Sequence, residues 1–333
     1  MITPDTPVLK LSWQQELARA ISDPAQLLER LDLDLALLPA AQAAAAQFPL
    51  RVTEHYLNLI QPGKPQDPLL RQILPLAEEL TPTPGYHTDP VGDTHASSGT
   101  GLLHKYQGRA LLITTGACAI HCRYCFRRHY PYQADNALRH WQAMLQQLAT
   151  QPELSEVILS GGDPLCLSDE RLDALITEIE TVPHIQRLRL HSRLPLVLPN
   201  RLTDTLIDRL QHSRLHASLV LHSNHPAELT PELMPGLRAL RQAEVTLLNQ
   251  SVLLAGVNDQ IAVLKQLSET LFAYGILPYY LHVLDPVQGA AHFAVSDTLI
   301  PKIETGLRAQ LPGYLVPRIV REIAGAPAKL PAV

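Results

Sequence analysis

Long apolar runs are missing from this 333-residue sequence. No stretch approaches the roughly 18 apolar residues that a helix needs to cross a bilayer, which argues against a membrane-spanning chain. The N-terminus, MITPDTPVLKLSWQQELARA, lacks the basic stretch and apolar core of a secretory signal. The sequence has no block rich in lysine and arginine, and its net charge is only −5. We therefore expect neither a nucleic-acid partner nor a membrane partner.

Cysteine is also scarce, with four residues in the whole chain. Three of them, Cys118, Cys122 and Cys125, fall within eight residues, so they do not form a useful disulfide framework. A chain of this length with 46% hydrophobic residues buries a core without such cross-links. These features predict reduced thiols, a metal site and a cytoplasmic location.

The apolar pattern divides the chain into three regions. Residues 1–95 predict a helical N-terminal region, with helical spacing over Trp13–Leu33 and Asp67–Leu80 and an alanine-rich helix at Ala40–Ala46. Residues 96–295 predict the core domain, where short apolar runs alternate with helix-like stretches near 135–149, 169–180, 202–211, 231–243 and 258–273. The strands are predicted at Ala110–Thr115, Glu156–Ser160, Arg187–His191, Ala217–Leu221, Thr246–Ser251 and Pro278–His282. Residues 296–333 predict a last helix near 297–309 and a tail that contains Lys329.

This alternation of strand and helix predicts the fold class. Six repeats of the pattern indicate a parallel sheet with helices packed outside it. Right-handed crossovers in succession favour a curled sheet, so we expect an α/β chain with a partial (βα)6 TIM-like barrel and a helical N-terminal extension. In such a sheet the loops after the carboxyl ends of the strands hold the functional residues.

The cysteines lie in one of these loops, which reads Cys118-Ala-Ile-His-Cys122-Arg-Tyr-Cys125. Thiolates are soft ligands that suit iron–sulfur clusters and zinc. Three thiolates can hold three irons of a cubane and leave the fourth iron open to a chelating reagent. The alternative is a structural zinc site, which needs four ligands, usually as two separated pairs. The remaining cysteine, Cys166, follows the second strand, and we expect it to be a buried small residue and not a ligand.

The Cys-x3-Cys-x2-Cys spacing, with an aromatic residue just before the last cysteine, resembles the radical S-adenosylmethionine superfamily. The similarity spans roughly residues 105–285. It implies a partial barrel of the radical SAM type, a [4Fe–4S] cluster on the three cysteines, and S-adenosylmethionine (SAM) at the open iron.

Further runs resemble the lysine 2,3-aminomutase family within that superfamily. They are Leu103-His-Lys-Tyr-Gln-Gly-Arg109, Cys125-Phe-Arg-Arg128, Ser160-Gly-Gly-Asp-Pro164, His191-Ser-Arg193, Asn249-Gln-Ser-Val-Leu-Leu254, Tyr279-Tyr-Leu-His-Val-Leu-Asp285, Val316-Pro-Arg-Ile-Val-Arg-Glu322 and Gly325-Ala-Pro-Ala-Lys329. The length and the Phe-Arg-Arg-His-Tyr run look closest to the branch that supplies (R)-β-lysine for modification of translation elongation factor P.

The chain departs from the family pattern in its C-terminal part. It lacks the long extension with zinc-binding cysteines that the clostridial-type enzymes carry. The glycine-rich turn before Lys329 is thinned to Gly-Ala-Pro-Ala, and an acidic residue expected as aspartate is Glu322. These changes fit a retuned substrate pocket.

The resemblance also implies a role for each site residue. A third cofactor, pyridoxal phosphate (PLP), is joined to Lys329 as a Schiff base, with its phosphate held by Lys105, Tyr106 and Arg109. SAM is contacted by Ser160, Gly161, Gly162, Asp163, Arg193, His222 and Gln250. The substrate carboxylate is bound by Arg127, and its distal ammonium is bound by Asp285 and Glu322.

The residues by themselves leave plainer readings open. Without the resemblance, the residues favour an exposed lysine in a proline-rich tail for Lys329, and Glu322 could form a surface ion pair with Arg318 or Arg321. Asp285 could simply cap a turn before Pro286. Arg128, next to Arg127, is expected at the surface.

The implied reaction is an isomerisation that moves the amino group of L-lysine from Cα to Cβ. A carbon radical derived from SAM removes the Cβ hydrogen, and PLP carries the migrating nitrogen. The implied partners are a reductant of the flavodoxin or ferredoxin type and, as a functional link, the ligase that lysylates elongation factor P. Three alternatives remain: an aminomutase for another amino acid such as glutamate, a radical SAM enzyme without PLP, and a zinc-binding protein with no enzymatic activity.

Overall fold

The computed structural model describes residues 11–333, so the first ten residues of the predicted N-terminal region lie outside the described part. Up to residue 96 the chain forms short helices, namely α1 (Trp13–Ala18), α2 (Pro24–Arg30), α3 (Leu38–Gln47), α4 (Glu54–Leu57), α5 (Pro68–Arg71) and α6 (Asp93–Ala96). Helix α3 confirms the alanine-rich helix. The run Trp13–Leu33 is split, because Ile21 pairs with Val52 in a β-bridge and Asp23 then caps a new helix.

A nine-stranded sheet follows, and its spatial order is the chain order. Its strands are β1 (Leu102–Tyr106), β2 (Arg109–Thr115), β3 (Glu156–Gly161), β4 (Arg187–Ser192), β5 (His216–Leu221), β6 (Thr246–Leu253), β7 (Leu277–Val283), β8 (Arg318–Arg321) and β9 (Leu330–Pro331). Strands β2 to β8 are parallel, whereas β1 and β9 pair antiparallel at the two edges. The sheet is therefore a parallel barrel wall with a hairpin at each edge.

Helices cross over outside this wall. They are α7 (Trp141–Ala149), α8 (Asp169–Glu180), α9 (Leu194–Val197), α10 (Asp204–Gln211), α11 (Met234–Gln242), α12 (Ile261–Ala273) and α13 (Ile300–Gln310). All six predicted strands and the six predicted crossover helices are confirmed, and the chain forms the predicted partial barrel with six βα units. The strands β1, β8 and β9 were missed, and β8 adds a seventh parallel strand after the last helix.

The two faces of the strands differ in what they contact. In β4, Leu188 and Leu190 are buried toward the helices, while Arg189 and His191 alternate with them and line the interior. The outer face packs against apolar residues such as Leu175 of α8, and each fully buried leucine contributes about 1.5–3 kcal/mol. The core thus lies between sheet and helices, which leaves the interior of the barrel to polar groups.

Within residues 11–333, no helix combines the length and the hydropathy that a membrane crossing requires.

Candidate active site

A cavity of about 470 Å³ occupies the interior of the barrel. Its wall includes every residue that the sequence predicted as a cluster, cofactor or substrate ligand. These residues are Lys105, Tyr106, Arg109, Cys118, Cys122, Cys125, Arg127, Ser160, Gly161, Gly162, Asp163, Arg193, His222, Gln250, Asp285, Glu322 and Lys329. Cys166, in contrast, packs half-buried against the main core. The fold therefore collects residues separated by more than two hundred positions into one space.

The three cysteines lie in the loop between β2 and α7. The backbone N–H of Cys125 donates to the carbonyl of Cys122 at 3.0 Å, which folds the loop into a tight turn. Burial raises the pKa of Cys118 well above its usual range and that of Cys125 to about 11, so these thiols need bound metal to replace their protons. Within the described residues, no three His, Cys, Asp or Glu side chains surround a point that one ion could occupy. Three thiols in one loop fit a cluster that takes one thiolate per iron.

Glycines at the end of β3 fix this loop against the sheet. Gly162 N–H donates to the Thr115 carbonyl at 2.6 Å, and Asp163 N–H donates to the Ala117 carbonyl at 2.8 Å. A Cβ atom on Gly162 would overlap the Ala117 carbonyl oxygen, and Gly161 has a φ of +121°. Glycine is required here because the backbone of the cluster loop lies directly against the strand.

Asp163 is occupied by protein donors. Its Oδ1 accepts from Leu165 N–H and Ser192 Oγ at 3.0 and 2.7 Å, and its Oδ2 accepts from Arg193 N–H and Leu194 N–H at 2.8 and 2.9 Å. The structure therefore places this carboxylate as the link between the ends of β3 and β4. A SAM amino group would have to compete with these donors.

Arg193 lies against the cluster loop. Its Nη1 donates to Cys122 Sγ and to Tyr124 Oη, both at 2.7 Å, and its Nη2 donates to Glu228 Oε2 at 2.8 Å. The guanidinium is also hydrogen-bonded to Gln72 of the N-terminal region at 2.7 Å. This placement joins Arg193 to a thiol ligand more directly than to the open part of the cavity.

A second buried arginine network braces the other side of the loop. Arg123 donates through Nε and Nη2 to the two oxygens of Glu79 at 2.8 and 2.6 Å, and Arg128 Nη2 donates to Glu79 at 2.8 Å. The prediction of a surface position for Arg128 is wrong, since its side chain is only 2% exposed. The physical reason is Glu79, an acid of the N-terminal region that buries both cations.

His222 directly follows β5 and its side chain meets that of Gln250, which lies within β6. The amide nitrogen of Gln250 is 2.9 Å from Nε2 of His222. Burial lowers the pKa of His222 to about 3, and the positive charges of Arg193 and Arg127 contribute to the same shift. The ring is therefore neutral and serves as a hydrogen-bonding group, not as a cation.

An ion-pair network crosses the cavity from β1 to the C-terminal hairpin. Lys105 Nζ donates to Glu322 Oε1 at 2.9 Å and pairs with Asp93, and Lys329 Nζ donates to Glu322 Oε2 at 2.5 Å. Burial opposes the ionisation of Glu322, but Lys329 and Lys105 together lower its pKa to about 2. The reading of Glu322 as a surface partner of Arg318 or Arg321 is wrong, because it turns inward to these two lysines.

Asp93, which sequence reasoning missed, also orients Arg127. Arg127 Nε donates to Asp93 Oδ2 at 2.5 Å, and its Nη1 donates to Ser160 Oγ at 3.0 Å. Burial opposes the charge of Arg127, yet Asp93 raises its pKa above the usual value. Among residues 11–333 no acceptor is bonded to Nη2, so this edge of the guanidinium remains available to a ligand. Asp93 is the first residue of the four-residue helix α6, which is too short for its spacing to carry a signal.

Asp285, at the end of β7, lines the cavity without a side-chain hydrogen bond to any of residues 11–333. Burial, and then the charge of Glu322, raises the pKa of Asp285 to about 7. Without a partner, the ionised form of this carboxylate is unfavourable. Binding of a cationic ligand would stabilise it.

Comparisons with known proteins identify the family. Residues 112–267 match the Radical SAM superfamily, which implies a [4Fe–4S] cluster and SAM. The chain is 47% identical to the L-lysine 2,3-aminomutase of Escherichia coli K12 over 333 residues, covering 99% of this chain and 97% of the relative. It is 45% identical to that of Haemophilus influenzae over 331 residues, with 98% of each chain covered. The Clostridium subterminale enzyme of the same name is 34% identical over 286 residues, covering 85% of this chain and 68% of the relative. A thiol loop, glycines packed against it and identity over nearly the full length lead to one assignment: the chain belongs to the L-lysine 2,3-aminomutase family of radical SAM enzymes.

Proposed function

We propose that this protein converts L-α-lysine to (R)-β-lysine with a [4Fe–4S] cluster, SAM and PLP. The observation that carries the proposal is the content of one cavity. Three thiols, a lysine amine and an unpaired buried acid, Asp285, all face the same space. Such a combination joins a radical source to a site for an amine with a distal positive charge.

The cofactors supply chemistry that side chains lack. The cluster and SAM provide a carbon radical that removes hydrogen from an unactivated carbon, and PLP provides a carbonyl group for the migrating nitrogen. The protein's part is to bind, orient and shield the reacting groups.

Arg127 is the group that we assign to the substrate carboxylate. Asp93 and Ser160 hold its Nε and Nη1, which leaves Nη2 for a carboxylate oxygen. Because two of its nitrogens are already held, the guanidinium loses little conformational entropy when it binds a carboxylate. In this arrangement Arg127 sets the position of Cα relative to the cluster loop.

Asp285 and Glu322 are the groups that we assign to the substrate ε-ammonium. A buried cation needs compensating negative charge, because an unpaired buried charge costs several kcal/mol. Asp285 offers a carboxylate without a protein cation on it, and Glu322 lies near enough to raise its pKa. To hold the cofactor, Lys329 would have to give up its hydrogen bond to Glu322 Oε2, which would leave that oxygen available to the substrate ammonium. Two acids would repel the side chain of glutamate, which disfavours that alternative.

The length of the relatives supports a proposal for the biological role. The two bacterial relatives at 47% and 45% identity are covered almost completely, whereas only 68% of the clostridial enzyme is covered. This favours the short branch, and we propose that the β-lysine is used by the ligase that modifies elongation factor P. A cytoplasmic flavodoxin or ferredoxin is the proposed electron donor.

One experiment tests the activity. The protein is purified without oxygen, assayed for iron, sulfide and pyridoxal, and incubated with SAM, dithionite and either lysine or glutamate. We expect iron, sulfide and pyridoxal together, with β-lysine as product and glutamate unchanged. Conversion of glutamate alone, cluster without pyridoxal, or zinc without iron would replace the proposal with the corresponding alternative. Chiral analysis of the product tests the (R) assignment.

A further inference from the structure

Lys105 has no free hydrogen for a phosphate. Its Nζ donates to the Val91 carbonyl at 2.9 Å and to Glu322 Oε1 at 2.9 Å, and it also contacts Asp93 Oδ1. A lysine ammonium has three hydrogens, so these three acceptors use all of them. The expected phosphate site is therefore short of one cation.

Arg189 is a cation in the same cavity that the sequence reasoning did not single out. It lies on the inner face of β4, and its Nε donates to Glu156 Oε1 at 3.2 Å while Nη2 contacts Glu156 Oε2. The side chain is 15% exposed. No acceptor within residues 11–333 is bonded to its third nitrogen, Nη1. Glu156 thus holds the guanidinium side-on, as Asp93 holds Arg127, and leaves one edge for an anion.

Arg109 and two phenols lie at the same end of the cavity. Arg109 stacks on the ring of Tyr106 at 4.6 Å, and its guanidinium has no hydrogen bond within the described residues. Burial raises the pKa of Tyr279 on β7, and Arg189 and Arg109 both oppose that rise, which places both cations near one phenol. Strands β1, β2, β4 and β7 therefore contribute two guanidinium groups and two hydroxyls to one part of the cavity.

We propose that Arg189 binds the phosphate of PLP together with Arg109 and Tyr106, and that Lys105 instead belongs to the ion pairs around Glu322. The inference rests on the proposed function, because it assumes that PLP is the cofactor. A dianionic phosphate with three acceptor oxygens matches two guanidinium edges and a phenol. Glu156 offsets one of the positive charges and fixes the orientation of Arg189.

The test compares PLP with pyridoxal, which lacks the phosphate. Apoprotein that retains its cluster is titrated with each compound, and binding is measured by absorbance and by borohydride trapping. Arg189→Gln should weaken PLP binding about ten- to a hundredfold, because a charged hydrogen bond to the phosphate is lost. Pyridoxal has no phosphate, so its binding should be unchanged. Lys105→Gln should change both affinities by the same factor.

The matched control is Arg187→Gln, on the same strand but exposed and bonded to Ser155 Oγ. It should leave both affinities as in the wild type. An unchanged ratio of PLP to pyridoxal affinity in Arg189→Gln, or a lowered ratio in Lys105→Gln, would overturn the inference. If Arg189→Gln does not fold, Arg189→Lys keeps the charge without the fork, and the ratio must still fall. Wild-type protein that binds neither compound refutes the proposed function itself, whereas wild-type binding with an unchanged ratio in the variants refutes only this inference.

Discussion

The cluster loop and the region around Lys329 are two ends of one active site, and their buried polar groups are treated differently. At the cluster loop, protein partners satisfy the buried acids: Asp163 accepts four hydrogen bonds, Glu79 pairs with Arg123 and Arg128, and Glu228 pairs with Arg193. Around Lys329, Asp285 has no partner within the described residues, and Glu322 is held by two lysines. At the cluster loop the protein itself supplies the partners of the acids, whereas around Lys329 the ligands must supply them.

This difference separates the two halves of the chemistry. An unmet buried polar group costs free energy, so the cluster end is rigid before any ligand arrives. Around Lys329, Glu322 forms ion pairs with two lysines, and charged groups of a bound ligand can replace these pairs. Changes at the first end should remove the radical source, whereas changes at the second should spare it and reduce turnover.

The largest effect is expected from the cysteines. Cys118→Ala, Cys122→Ala or Cys125→Ala should abolish SAM cleavage, because each removes the ligand of one iron. Deoxyadenosine release under dithionite measures it, with iron content in parallel. Cys166→Ala is the control and should retain both; loss of iron in that variant would mean that the ligands are wrongly assigned.

Lys329→Ala should come next. The variant should lose the borohydride-reducible pyridoxal adduct and aminomutase turnover while it retains the cluster and uncoupled SAM cleavage, since only the second end is changed. Peptide mass mapping of the reduced protein locates the adduct. Lys302→Ala, on the distant helix α13, should keep it; an adduct on any lysine other than Lys329 contradicts the assignment.

Smaller effects are expected from the two acids. Asp285→Asn and Glu322→Gln should each lower kcat/KM for lysine at least tenfold, the loss of a charged hydrogen bond of about 1.5–3 kcal/mol. Uncoupled SAM cleavage should persist in both variants. Unaltered lysine kinetics in the double variant would remove the reason for naming lysine and would favour a different amino acid.

The acidity of Asp285 predicts a pH dependence. Its carboxyl has a pKa of about 7 in the ligand-free protein, so below pH 7 it is protonated and attracts the substrate ammonium less. Because kcat/KM reports groups of the free enzyme, it should fall by up to about tenfold per pH unit below 7. The Asp285→Asn variant should lack this slope; a slope of the same size in that variant would assign it to another group.

The smallest effect concerns stability. The folded-state pKa of Asp285 lies above the usual 3.8 of an aspartate, so its burial costs stability increasingly as the pH rises from about 4 to 7. Asp285→Asn should therefore raise the Tm of the apoprotein at pH 8 and leave it unchanged at pH 3. Calorimetry at both values checks the sign, and a lower Tm at pH 8 would show that the acid stabilises the fold.

The sequence predicted the strands whose pattern is simplest. Strands β2 and β3 appear as short apolar runs of the kind that parallel sheets bury, whereas β4 and β6 alternate apolar residues with polar ones that face the cavity. The edge strand β1 carries His104 and Lys105, and β8 carries arginines at both ends, so neither resembles a buried strand. Hairpin edges of a parallel sheet lack the apolar signal because one side faces solvent or the cavity.

The site was predictable where its residues are close together in sequence. The cysteine spacing indicates a cluster by itself, whereas Lys329, Asp285 and Glu322 were found through resemblance to a family. Asp93 and Glu79 were missed, because a single acid in a four-residue helical turn has no spacing that reveals its partner. Their partners, Arg127 and Arg128, are decided by tertiary contacts, which also explains the wrong surface position of Arg128.

The order of the strands has a consequence for how the chain folds. Each strand pairs with the next in sequence, so the sheet can grow one strand at a time as synthesis proceeds. The contact between Lys105 and Glu322 is different, because it spans 217 positions and joins the first hairpin to the last. A chain interrupted before Glu322 keeps the cysteine loop and its N-terminal brace but lacks Lys329 and the carboxylate that pairs with Lys105. The cysteines proposed to hold the radical source are therefore synthesised before Glu322 and Lys329, which are proposed to bind the substrate and the PLP.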